Sequence, residues 1–216
     1  MTDLKLGKIA TILFLCAAAV LAAVSLAGCS SVPPVVKIGI VGPFEGYYRE
    51  VGYDVIYSAR MAIREENARE DIGDYRVALV ALDDFGDTES AQSTARSLVA
   101  DPGVIAVVGH WLPDTTSSAA PVYENAGLAL VQGGSPPFIE VDPSTLPEKF
   151  RTDYAKITPF DEEAGIYAGA GYDSVGLILK AIAEADVNDM PLDRRSIADI
   201  LTSLTFDGVT GSVYLP

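Results

Sequence analysis

Residues 35–43 read VVKIGIVGP, and this sequence gives the first indication of the fold class. A short β-branched run between Pro34 and Gly42 is typical of a buried strand. From Tyr53 onward the apolar residues recur at helical spacing, and the other face of that helix is charged. A buried strand followed by an amphipathic helix predicts the first half of a βαβ unit.

The same alternation of strands and helices continues to residue 131. The sequence predicts further strands over 75–82, 104–108 and 128–131, with helices that begin at Asp87 or Thr88 and near Thr115. Short apolar strands that alternate with amphipathic helices indicate a parallel sheet. We therefore expect an α/β fold, with a Rossmann-like parallel sheet and helices on both faces.

The last third of the chain is less regular. The segment 133–159 carries five prolines and is predicted to be the least organised part. A long helix is predicted over 164–185, a shorter one over 192–204, and a closing strand over 211–215. The long helix has an apolar stripe made of Val175, Ile178, Leu179 and Ile182. This stripe predicts that the helix docks on one continuous parallel sheet.

The first residues are predicted to be a targeting signal. Two lysines precede an apolar run over 9–27, which ends in the sequence LAGC at Cys29 and resembles a bacterial lipobox. We expect a signal peptide over 1–28, a lipidated Cys29 and a tether over 29–34, so that the mature protein is extracytoplasmic and anchored to the cell membrane. An uncleaved helix anchor is the alternative, because about 19 apolar residues nearly span a bilayer.

Charge and composition exclude several classes of protein. The formal net charge of −15 argues against nucleic acid or an anionic membrane surface as partner. Two cysteines are too few for a disulfide scaffold or a cysteine-built zinc site, and the single histidine, His110, excludes a multi-histidine metal centre. We therefore expect neither a cofactor nor a metal.

Motifs for nucleotide binding and catalysis are not found either. The glycines in GIVGPFEG at 39–46 lack the spacing of a dinucleotide fingerprint, and the sequence has no phosphate-binding Gly-Lys-Ser/Thr. A serine hydrolase would need His110 as base, with Asp114 and Ser117 nearby, yet GGSPP at 133–137 lacks the second glycine of a nucleophile elbow. The chain is not expected to be an enzyme.

Polar residues next to the strands have simpler interpretations. The pair Asp83-Asp84 invites comparison with a phosphoacceptor pocket, but it follows the second strand and not the first. We interpret the pair as caps of a loop at the sheet edge. We interpret His110 as a hydrogen-bonded loop residue and not as a ligand-binding one.

A binding surface is the remaining hypothesis. In open parallel sheets ligands lie beyond the carboxyl ends of the strands, which here are followed by loops 42–52, 83–87, 109–115 and 133–135. The candidate ligand-binding residues on these loops are Tyr47, Trp111, Asp114, Thr115, Thr116, Gly134 and Ser135. The helix near Thr115 would direct free N–H groups into the same crevice, which suits a carboxylate.

Several motifs together resemble a known family. They are IGIVGP at 38–43, LVADPGVIAVVGH at 98–110, PVYENAG at 121–127, YDSV at 172–175 and FDGVTG at 206–211. These motifs are similar to those of type I periplasmic binding proteins, in particular the branched-chain amino-acid (leucine-binding) class of ABC transporters. The resemblance implies a solute-binding lipoprotein whose partners are a small molecule, an amino acid or similar, and an ABC transporter permease.

The length of the chain departs from that family. Members have two lobes and are nearly twice as long, so the resemblance implies loss of most of the second lobe. We expect 35–132 and 160–216 to form two parts of one lobe, joined by 133–159. The expected function is a branched-chain amino-acid binding lipoprotein with weakened binding.

Three positions of the resemblance depart from the family pattern. Pro113 stands where a carboxylate-binding serine is usual, Pro136 where a threonine is usual, and Val51 where an aromatic residue is expected before Gly52. These changes weaken the expectation of amino-acid specificity. The alternative is a one-lobed sensory or protein-interaction module without nutrient binding, which an exposed apolar face would favour over a polar crevice.

Overall fold

A computed structural model of the chain describes residues 33–69, 73, 75–133 and 138–215. The predicted signal peptide, Cys29, Gly134 and Ser135 lie outside these ranges. Almost all of the described residues belong to one compact unit, 34–216.

A four-stranded parallel sheet forms the centre of this unit. Its strands are β1 (Val35–Gly42), β2 (Arg76–Asp83), β3 (Val104–Val108) and β4 (Ala129–Val131). The order across the sheet is β2-β1-β3-β4, and all neighbours are parallel. The predicted parallel α/β sheet is confirmed, and its strand order reverses at β1.

Helices cover both faces of the sheet, as predicted. They are α1 (Arg49–Asn67), which covers one face, and α2 (Thr88–Ala100) and α3 (Pro113–Asn125), which cover the other. The Asp87 carboxylate caps α2 by accepting hydrogen bonds from the backbone N–H groups of Glu89 and Ser90 at 3.0 and 2.9 Å. Helix α3 begins two residues before the predicted start, because Pro113 is well suited to the first helical position.

The C-terminal third returns to the face that α1 covers. It contains a 3₁₀ turn (Pro143–Thr145) and the helices α4 (Glu148–Ile157), α5 (Ala168–Val187) and α6 (Arg194–Leu201). Ile178 and Ile182 of α5 are fully buried in the same core as β1, so the predicted docking is confirmed. Within the described ranges no helix, α5 included, combines the length and the apolar character needed to cross a bilayer.

Helix α4 lies inside the segment that was expected to be least organised. Its Phe150 and Tyr154 are buried against Met61 of α1. Two aromatic residues four positions apart lie on one face of a helix, and this gives α4 an apolar face despite the surrounding prolines.

The expectation of one continuous parallel sheet was wrong at the C-terminus. Strands β5 (Thr205–Gly208) and β6 (Gly211–Tyr214) form a separate antiparallel pair. The Asp173 carboxylate of α5 holds their turn, since it accepts hydrogen bonds from the N–H groups of Val209 and Thr210, both at 2.8 Å. Packing on α5 therefore replaces pairing with the main sheet.

Candidate functional site

The strand-end crevice is the first candidate site. Because β1 has β2 on one side and β3 on the other, the carboxyl ends of β1 and β3 flank the point where the strand order reverses. We define the crevice by Gly42 at the end of β1, the loop Gly109–Leu112 after β3, and Gly133 after β4. This is where the sequence predicted the ligand.

The side chain of Trp111 fills this crevice. It is only 5% exposed, although it was predicted to line an open ligand site. A Cβ atom at Gly42 would lie 3.2 Å from the indole Cδ1, and one at Gly133 would lie 2.4 Å from Cε2. The indole therefore packs directly on glycine backbone. Among the described residues, its buried Nε1–H has no hydrogen-bond partner.

The two predicted threonines lie at the same edge, but their hydroxyl groups donate to the main chain. Thr115 Oγ1 donates to the carbonyl oxygen of Leu112 at 3.0 Å. Thr116 Oγ1 lies 2.6 Å from the carbonyl oxygen of His110, and both threonines are buried. Both hydroxyl protons already bond main-chain carbonyl oxygens. They are therefore less available to a ligand carboxylate than the protons of free hydroxyl groups.

The N-terminus of α3 is a weak anion site. Leu112 at the N-cap supplies no side-chain hydrogen bond, and Pro113 has no N–H to offer. Asp114 is exposed in the first turn, where its negative charge interacts favourably with the helix dipole. The same charge repels an incoming carboxylate, which lowers the affinity that the sequence had suggested.

Tyr47 lies on the surface of the loop after β1. It is 91% exposed and stacks edge-to-face on Tyr48 with ring centroids 4.9 Å apart. Phe85, in the loop after β2, is 55% exposed. This edge of the sheet therefore presents aromatic side chains to solvent around the filled crevice.

Two acids and the histidine are structural, as interpreted from the sequence. Asp83 Oδ1 accepts hydrogen bonds from the N–H groups of Phe44 and Phe85 at 3.0 and 2.8 Å. Buried Asp84 lies 2.7 Å from His110 Nδ1, which must carry the proton because a carboxylate only accepts. The interpretation as loop caps and as a hydrogen-bonded histidine is confirmed.

Among the residues that the structure describes, the Nε2 side of the His110 imidazole contacts a tyrosine hydroxyl and no serine. Its Nε2 lies 3.2 Å from the hydroxyl oxygen of Tyr123, whose pKa is raised by burial and by the charge of Asp84. Ser117 donates instead to the carbonyl oxygen of Pro113 at 2.8 Å. The hydrogen bonds Asp84–His110 and His110–Tyr123 thus link the ends of β2 and β3 to α3. A catalytic triad of His110 with Asp114 and Ser117 is not formed.

A second concavity was not predicted from the sequence. This side groove, of about 590 Å³, lies between the start of α1 and the loop before α5. Its walls include Phe44, Arg49, Glu50, Asp54, Glu162 and Tyr167. The two groups of residues are more than 100 positions apart in the chain, so no local sequence pattern relates them. Asp54 joins them, since it accepts hydrogen bonds from the N–H groups of Gly165 and Tyr167 at 3.2 and 3.1 Å.

Comparison with known proteins identifies the family. A family model described as periplasmic binding protein matches residues 35–145, which is more than half of the 216-residue chain. The chain belongs to the periplasmic binding protein family. The resemblance inferred from the motifs is confirmed, and the strand-end crevice lies within the part that matches.

Curated periplasmic binding proteins are similar to part of this chain. The "amino acid binding protein" of Pseudomonas aeruginosa is 29% identical over 164 residues, which cover 76% of this chain and 41% of the relative. The leucine-specific-binding protein of Salmonella typhimurium is 28% identical over 147 residues, or 68% of this chain and 36% of the relative. The chain therefore spans less than half the length of these relatives.

Solved structures of periplasmic binding proteins share the fold. A possible leucine/isoleucine/valine-binding protein from Rhodopirellula baltica superposes with a TM-score of 0.71 at 13% identity, covering 87% of this chain and 91% of that one. A branched-chain amino acid transporter substrate binding protein from Streptococcus pneumoniae, in complex with isoleucine, gives 0.64 at 15% identity, covering 83% and 91%. The expected likeness to one lobe of a type I periplasmic binding protein is confirmed.

Proposed function

We propose that this chain is an extracytoplasmic solute-binding lipoprotein of a branched-chain amino-acid ABC transporter, with weakened binding. The family match over 35–145 carries the proposal, because it includes the loops after β1 and β3 that border the strand-end crevice. The curated relatives that cover most of this chain are amino-acid binding proteins by name, which supports the ligand class. The transporter permease and a small-molecule ligand are the proposed partners.

The filled crevice is the observation that supports the proposal of weakened binding. Trp111 occupies the space at the ends of β1 and β4, and its buried Nε1–H, which has no partner among the described residues, is proposed as a donor to the carboxylate of a ligand that displaces the ring. Tyr47, Asp114, Thr115 and Thr116, together with Gly134 and Ser135, are proposed as the surrounding ligand contacts. Charge-assisted contacts on one open lobe contribute on the order of 1 kcal/mol each, and association loses translational entropy. We expect a Kd no tighter than about 1 mM, or about −4 kcal/mol.

One lobe assembled from two parts is the proposed domain organisation. Residues 35–132 supply the sheet, and 160–216 supply α5, which packs on the sheet face that α1 also covers. The segment 133–159 then replaces the missing second lobe. This arrangement explains why the ligand would be enclosed from one side only.

Calorimetric titration of the detergent-solubilised chain with leucine, isoleucine and valine tests the ligand proposal. Saturation near millimolar concentration is expected, and micromolar affinity would contradict the half-open site. Absence of binding up to solubility would instead favour the interaction module, to which the exposed rings of Tyr47, Phe85 and Phe160 point.

Membrane attachment through Cys29 is proposed on the basis of the lipobox-like sequence before it. The variant Cys29→Ala is expected to leave the membrane fraction, whereas Cys16→Ala is the matched control and stays there. If Cys29→Ala remains in the membrane with an uncleaved N-terminus, the apolar run is an anchor and the lipoprotein proposal is wrong.

A further inference from the structure

The side groove has a chemistry different from that of the strand-end crevice. It contains the carboxyl groups of Glu50, Asp54 and Glu162 and one cation, Arg49. From this arrangement we infer that the side groove binds a small organic cation, an ammonium group with an apolar body. This site goes beyond the proposed amino-acid function and does not depend on it.

The acidic groups of the side groove outnumber its basic ones. Among the described residues, no lysine or arginine forms an ion pair with Glu50, Asp54 or Glu162. The side groove is lined by three carboxyl groups and one guanidinium, so acidic groups outnumber basic ones in this partly open concavity. A cation gains more from such a space than from open water, because the surrounding protein lowers the local dielectric constant.

Asp54 is held in place without a counter-ion. Besides the N–H groups of Gly165 and Tyr167, the Tyr154 hydroxyl donates to its Oδ1 at 3.3 Å. Loss of hydration nevertheless raises the pKa of Asp54, so these donors only partly offset its burial. An ammonium group beside Asp54 would supply the charge that the protein itself does not provide.

Aromatic walls suit the apolar part of such a ligand. Phe44, Tyr53 and Tyr167 line the side groove. The Tyr53 hydroxyl donates to Glu162, and the Tyr167 hydroxyl donates to Glu140 at 2.9 Å, which fixes both rings. Aromatic faces attract ammonium groups, and a volume of about 590 Å³ lies in the range of small-ligand sites.

A metal ion fits the side groove less well than an organic cation. Across the part of the chain that the structure describes, no group of three or more acidic, histidine or cysteine side chains converges for metal coordination. The three carboxylates of the side groove therefore do not form a compact coordination site, and an organic cation suits them better than a metal ion.

Three matched probes test the inference by calorimetry on the detergent-solubilised chain: phenethylamine, neutral 2-phenylethanol and anionic 3-phenylpropionate. We expect the amine to bind at least about tenfold more tightly than the alcohol, and the acid to bind more weakly than the alcohol. Equal affinity for the amine and the alcohol, or tightest binding of the acid, would overturn the cation site. Leucine also carries an ammonium group, so its affinity is measured in Glu50→Gln as well: binding in the strand-end crevice is expected to be unchanged there, whereas binding in the side groove would weaken.

Charge variants locate the site. Glu50→Gln is expected to weaken phenethylamine binding about fivefold and Arg49→Gln to strengthen it by a similar factor, as expected for partly exposed charge pairs. Glu124→Gln removes an exposed carboxylate from the far end of α3 and is the control for net charge. Both groove positions are exposed, so neither variant threatens folding. If both bind the amine as the unmodified chain does, the cation does not bind in the side groove.

Discussion

The indole of Trp111 lies so close to the backbone of Gly133 that a Cβ atom there would stand 2.4 Å from its Cε2 atom. Gly42 approaches the other edge of the same ring. Two glycines at the ends of β1 and β4 thus make room for a tryptophan in the strand-end crevice, where the sequence predicted the ligand. This packing places the indole of Trp111 in the crevice.

Gly133→Ala is expected to force the indole out of its position. Overpacking of this kind destabilises a protein by about 1–3 kcal/mol, and urea unfolding measures the loss. Trp111→Phe, combined with Gly133→Ala, should be destabilised by less than the sum of the two single variants, because the smaller ring relieves the clash. An alanine variant as stable as the original chain would show that the indole lies elsewhere.

Ile178→Lys is expected to destabilise the fold by about 3–5 kcal/mol, because it places an unpaired charge in the core between α5 and the sheet. Val187→Lys is the matched control on the same helix, since Val187 is 81% exposed. Chemical denaturation of both variants measures the difference. Similar unfolding free energies for the two would mean that α5 is not docked.

Asp101 is expected to titrate at unusually low pH. The hydrogen bond from Lys37, at 2.7 Å, and the N–H group of Gly103 lower the pKa of its carboxyl. Because the folded pKa lies below the unfolded value of about 4, this contribution to stability is present above pH 4 and is lost as the pH falls through the folded pKa.

NMR titration of the Asp101 side-chain carboxyl measures this shift. Lys37→Met is expected to raise the pKa of Asp101 towards its ordinary value. The pKa of Asp142 is lowered by Ser144 and is expected not to change in the same variant. An unchanged Asp101 titration would mean that Lys37 does not cause the shift.

Much of the fold could be predicted from the sequence because strand and helix periods are local signals. The strand over 104–108 was predicted to the residue, and of the two candidate caps, Asp87 and Thr88, the structure has Asp87. The β5–β6 hairpin was missed because its position depends on Asp173, which lies more than 30 residues earlier. Helix α4 was missed because prolines before and after it obscured its apolar face.

Less of the candidate site than of the fold could be predicted from the sequence. Loop positions of the candidate residues followed from the strand order, but their exposure did not. Trp111 fills the crevice because Gly42 and Gly133 have no side chains there. These glycines lie at the ends of different strands, so no local sequence pattern relates them to Trp111. The side groove combines α1 with the loop before α5, a contact that only the folded chain creates.

The fluorescence emission of Trp111 reports on the occupant of the strand-end crevice, since it is the only tryptophan in the chain. Leucine is titrated into the detergent-solubilised chain while the fluorescence spectrum is recorded, with equal concentrations of sodium chloride as the control. We expect an initially buried-type spectrum that changes with half-saturation no tighter than about 1 mM, because leucine must displace or contact the indole. A change that saturates at micromolar leucine, or an unchanged spectrum where calorimetry detects binding, would contradict a ligand site filled by Trp111.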